Sequence, residues 1–76
     1  MQKDRYTEIV WAVGVSGRGY ICHDGTIQPN VFKAELHLDK EDAKKIKDKY
    51  NSNIQPDNYD HAYIRELEIT DRGTVE

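Results

Sequence analysis

Cysteine, proline and long apolar runs are all scarce in this sequence of 76 residues. With one cysteine there is no internal disulfide framework, so nothing points to an oxidising compartment. No apolar run approaches the roughly 20 residues of a membrane span. The charged start "MQKDRYTE" lacks the apolar core of a signal peptide, and the cytoplasm is the expected location. An excess of basic charge is missing too. Net charge is −3 with both signs interspersed, which argues against the basic footprint of a nucleic-acid-binding domain and is too mild for a mimic of DNA. No repeat, low-complexity tract or linker divides the chain, so residues 1–76 read as one small domain.

What is present suffices to fold. Hydrophobic residues make up 37% and charged residues 33%, and five tyrosines with one tryptophan supply aromatic anchors that disordered chains lack. A chain this short buries only about 60–65% of the surface its unfolded form exposes. Pockets for small molecules need several hundred cubic ångströms. Flat or strand-edge binding is therefore an easier task for it than concave catalysis.

"YTEIVWAVGV", Tyr6 to Val15, is rich in β-branched and aromatic residues at period two and predicts a strand. Ile9, Trp11, Val13 and Val15 share one parity, while Tyr6, Val10 and Ala12 share the other. "SGRG" turns the chain, "YICH" returns, and Asp24-Gly25 marks another tight turn. "VFKAELHL" then alternates Phe32, Ala34, Leu36 and Leu38 with polar residues, the pattern of a half-buried strand. Asp39 is a good N-cap for a helix over "KEDAKKIKDKY", which places Ala43, Ile46 and Tyr50 on one face and Lys47 at its flank. Leu38 and Ala43 occupy the hydrophobic-staple positions at its start. After the polar loop "IQPDNYDH", "AYIRELEI" reads as a last strand of inconsistent parity, which a β-bulge near Arg65-Glu66 would repair. The expected fold is α+β, in the order β-β-β-α-β: a three- to four-stranded, mostly antiparallel sheet with one helix on one face.

Cys22, His23 and Asp24 stand side by side, the residue types of nucleophilic sites. Neighbours on a strand point to opposite faces, so an extended "YICH" separates the thiol from the imidazole. A buried thiol beside an exposed turn histidine is the better reading, and a cysteine-dependent enzyme the weaker one. Cys22, His23, His37 and His61 form no C-x-x-C or H-x-x-x-H pair, so no metal or other cofactor is expected. "DNYD" lacks the glycine and ligand register of a calcium loop. "GVSGRGY" lacks the spacing of a phosphate loop and leads into a strand. The helix lysines alternate with Glu41, Asp42 and Asp48 and read as a solvated face. Tyr6, Trp11, Tyr20 and Tyr63 are the candidate stacking platforms for RNA or single-stranded DNA, the alternative partner class.

One helix covers one sheet face, which leaves Tyr6, Val10 and Ala12 as an apolar stripe for association. Arg18 and Tyr20 at a hairpin tip, and Tyr59 in the long loop, are further contact candidates. The expectation is a non-enzymatic protein-binding module, either a homodimer through the second face or a binder of another protein.

In layout, an N-terminal hairpin, the capped helix "LDKEDAKKIKDKY" and a terminal strand, the chain resembles small orphan proteins encoded by bacteriophages and prophages. That resemblance carries over no functional residues. It implies a cytoplasmic accessory protein that acts by binding a host or phage component, as inhibitors of host defence do.

Overall fold

A computed structural model describes residues 6–53 and 61–74 of the chain. The elements run β1 (Tyr6–Val15), β2 (Gly19–Ile21), β3 (Ile27–Gln28), a short 3-10 turn (Val31–Lys33), α1 (Lys40–Ser52) and β4 (Ala62–Asp71). The strands form one antiparallel sheet in the order β3-β2-β1-β4, so the architecture is α+β with a single helix. None of the described helices is long and apolar enough to cross a membrane.

The sheet is built around β1 and β4, which pair over their whole length from Tyr6↔Asp71 to Val15↔Ala62. Directly paired antiparallel residues share a face. Val13, Val15, Ala62 and Ile64 therefore point to one side, where Ala43, Ile46 and Tyr50 of α1 meet them, together with Trp11, Ile21 and Ile27. The helix begins as its sequence predicts, with the Asp39 side chain accepting from the Glu41 N–H. Lys44 and Asp48, one turn apart, pair at 3.1 Å on the wet face.

"VFKAELHL" is not a strand. The Asn30 side chain accepts from the Phe32 N–H and caps a 3-10 turn in place of an extended run. Only isolated bridges follow, Cys22↔Ala34 and Trp11↔His37. The apolar set is accordingly not buried as a face: Phe32 is 92% exposed and Leu38 77%, so Leu38 makes no staple over Ala43. His37, expected on a wet face, has a side chain only 11% exposed and is bonded through its backbone to Trp11 in both directions. The third strand is instead the two-residue β3.

There is also no bulge in β4. The register with β1 advances one residue for one residue from end to end. The parity of its apolar residues changes because they serve different faces: Ala62 and Ile64 join the helix side, whereas Leu67 lies opposite Val10 on the other.

Candidate functional site

The turn that carries Cys22, His23 and Asp24 closes with the Cys22 N–H bonded to the Thr26 carbonyl and the Gly25 N–H bonded back to the Cys22 carbonyl. Gly25, at φ +86°, takes the left-handed position of such a three-residue loop. Asp24 accepts from both the hydroxyl and the amide of Thr26, at 2.7 and 3.0 Å. The hydroxyl bond foremost, then the amide, holds its carboxyl below the ordinary value. It serves as a turn acceptor. Cys22 is 5% exposed, its Sγ 3.6 Å from the Tyr20 carbonyl, while the His23 ring lies in solvent with Nδ1 3.2 Å from Glu35 Oε2. The three groups line one shallow hollow with Gln28 and Lys33, but each is bonded outside the trio and not to another of its members. Native Cys22 is expected to react with a thiol reagent at neutral pH at least about tenfold more slowly than the unfolded chain, since labelling must await local opening. Equal rates in native buffer and denaturant would reinstate the nucleophile reading. Among the described residues, no group of three or more potential ligands could hold a metal ion.

The expected apolar stripe is not open either. Val10 is 3% exposed and Ala12 0%. On their face the Tyr63 ring lies over Gly14, and the register sets Arg65 beside Ala12 and Leu67 beside Val10. Tyr6, at 71% exposure, is the one member of the stripe that reaches solvent. Arg18 is exposed in the turn between β1 and β2, and Tyr20 is half-buried beside Gly14. Tyr59 lies outside the described residues. The described candidates do not converge on one surface: Tyr6 opens β1 and Arg18 lies beyond its other end.

What sequence reasoning missed is an edge. The bond from the Ser16 N–H to the His61 carbonyl fixes the alternation of the β1–β4 ladder. Odd-numbered residues of β4 turn their backbone groups inward to β1, and even-numbered ones turn theirs outward. The outward pair of Ala62 is occupied by a side chain from α1: Asn51 Oδ1 accepts from the Ala62 N–H at 2.8 Å, and its Nδ2 donates to the Ala62 carbonyl at 3.1 Å. Asn51 thereby imitates one residue of a neighbouring strand. Beyond it, the outward groups of Ile64, Glu66, Glu68 and Thr70 meet no partner among the described residues.

Proteins blunt free edges with short strands, prolines, bulges or charges. The opposite edge, β3, is two residues long and stops at Pro29. β4 is ten residues, about 34 Å at the usual rise, with neither proline nor bulge. Among the described residues, charged side chains are what guards it. Beside it, on the helix face, a groove of about 550 Å³ is lined by Trp11, Asn51, Ala62 and Ile64, with Lys40, Lys47 and Glu66 among its other walls. Trp11 Nε1 is buried there without a hydrogen-bond partner among the described residues. β1 has a shorter free edge of its own at Thr7 and Ile9, beyond the rung that Trp11 shares with His37.

No family model, no curated protein and no solved structure matches this chain, so the edge and its groove stand on their geometry alone.

Proposed function

We propose that this chain is a protein-binding module without catalytic chemistry, which takes an extended segment of its partner as an added strand along β4. The observation that carries the reading is the row of outward backbone groups at Ile64, Glu66, Glu68 and Thr70, which meet no partner among the described residues, next to the rung that Asn51 closes. Strand addition draws its affinity from main-chain hydrogen bonds and its selectivity from alternate side chains. An edge supplies both without a deep pocket.

A protein segment suits the surface better than a single-stranded nucleic acid. Trp11 packs into the helix-side cluster and is not free as a stacking platform, and Tyr63, 39% exposed, keeps its ring against Gly14. Lys44 and Lys47 are each engaged with Asp48 at 3.1 Å.

Glu68→Pro tests the reading, because its N–H points away from β1 and the substitution blocks the edge without opening the ladder. The expected result is a partner retained from cell lysate by the native chain and lost by a folded Glu68→Pro variant. Equal retention by both would count against the β4 edge. A lysate that yields no retained protein would count against the module itself.

A further inference from the structure

We infer that the strand accepted by β4 is not a second copy of this chain but a segment with basic residues at alternate positions, which face Glu66 and Glu68. This rests on the edge-binding reading and adds the chemistry of the occupant.

A second copy is the first occupant to consider, since a free edge is most simply closed by its own image. Two β4 strands meeting antiparallel about a two-fold axis must join outward rungs to outward rungs. Centring the pair on Glu66 sets Glu66 against its own copy, and centring it on Leu67 sets Glu66 against Glu68 twice. Centring it on Glu68 opposes Glu68 to itself, and centring it on Arg65 opposes the two arginines. Pairs centred on Ile64, Ile69 or Thr70 escape, but the first needs the Ala62 rung that Asn51 already occupies, and the other two leave the outward groups of Ile64 and Glu66 without a partner inside the strand. Like charges directly opposite one another destabilise a sheet. The middle of this edge is therefore closed to itself.

The same glutamates select in the other direction. Glu66 lies opposite Trp11 and Glu68 opposite Ile9, so both carboxylates rise from the helix side of the sheet, two residues apart, and both are exposed. Neither has an ion pair among the described residues. An added strand has its residues facing them at the same spacing of two, and lysine or arginine there turns the repulsion into attraction. The residue between those two faces Leu67 on the other side and is apolar. The residue opposite Ile64 lies over the groove floored by Trp11 and Ala62 and is apolar as well. Lys47, one turn from Asn51 on α1, stands at the Ala62 end of that groove, so the basic positions belong at Glu66 and Glu68 and not beyond Ile64. Asn51 ends the row, because the Ala62 rung is already taken. The occupant is thus read from its pattern, basic–apolar–basic, then a residue facing Arg65, then an apolar residue facing Ile64, and its placement is fixed by where the free rungs stop.

The test uses the full chain labelled with nitrogen-15 and two capped synthetic peptides: one carrying the run lysine–valine–lysine–threonine–valine, the other with glutamate in place of each lysine. Binding of the lysine peptide is expected to slow amide exchange at Ile64, Glu66, Glu68 and Thr70 while leaving the inward amides as they were. The glutamate peptide is expected to bind at least about tenfold more weakly, and Glu66→Lys/Glu68→Lys to reverse the preference. Edge amides slowed equally by both peptides would overturn the inference on charge and leave edge binding standing. Edge amides untouched by either would overturn the inference and the edge-binding reading together. A native chain that slows the same amides by dimerising at millimolar concentration would also overturn it, since the glutamates would then have failed to exclude a second copy.

Discussion

Leu67→Pro is expected to abolish the cooperative unfolding transition, while Glu68→Pro, one residue further along, melts close to the native chain. The two sites differ in which way the backbone points. Leu67 faces Val10 in the ladder and is turned inward, so proline there removes a donor and leaves the carbonyl of the buried Val10 unpaired. An unsatisfied buried group costs about 1–3 kcal/mol. Forcing a proline ring into the middle of a paired strand, with loss of the Leu67 side chain, adds about as much again. A domain of this length is stable by roughly 4–11 kcal/mol at the usual 0.05–0.15 kcal/mol per residue, so the sum takes most of the margin. At Glu68 the lost N–H was bonded to nothing in the ladder. The remaining strain there, about 1 kcal/mol, is partly offset by the stiffer unfolded chain. Thermal unfolding followed by circular dichroism separates the two. A Glu68→Pro chain that fails to fold would show that the outward direction of this rung is wrong, and edge binding would fall with it.

Gly19→Ala carries the second large effect. Gly19 sits at φ +132°, a region L side chains rarely adopt, and a Cβ added to it would meet backbone atoms of the next strand: the Gln28 carbonyl oxygen at 2.2 Å, its carbon at 2.5 Å and the Pro29 Cα at 2.9 Å. Backbone cannot rotate aside as a side chain can. The β2–β3 hairpin must lift from its place, taking Ile21 and Ile27 away from the helix-side cluster. Backbone strain of about 1–3 kcal/mol and the lost burial together predict a melting point lower by roughly 10–20 °C for a domain of this size. Gly17→Ala is the control. Gly17 also has a positive φ, +78°, but nothing lies within 4 Å of its added Cβ, so only the conformational cost of about 1 kcal/mol applies. Equal losses at the two positions would mean that turn strain, and not the contact with Gln28, governs Gly19.

The helix was legible in the sequence because its signals are local. Asp39 caps its own first turn, and the four-residue spacing of Lys44 and Asp48 needs no information from elsewhere. β1 was legible for the same reason. "VFKAELHL" misled because alternation states only which residues would share a face if the chain were extended, and Asn30 offers the backbone a competing bond that coils it. The bulge assigned to Arg65-Glu66 came from assuming that β4 has one dry face along its length. The candidate edge was not legible at all. Which strand ends up outermost, and which of its backbone groups point outward, depends on the pairing of β4 with β1 across some fifty intervening residues. Asn51 gave no hint in sequence, since an asparagine near a helix end is most simply read as the place where the helix frays.

The change of face within β4 also bears on how the chain finds a single pairing. A strand that is apolar on one side throughout can slide by two residues and still present the right side to the core. Such slips are among the traps of long hairpins. Here a slide of two would bring Glu66 opposite Val13 beneath the helix in the place of Ile64, or carry Ile64 from Val13 to Trp11. The switch between Ile64 and Leu67 therefore acts as a phase mark, which tells the strand how far along to pair as well as which way to face.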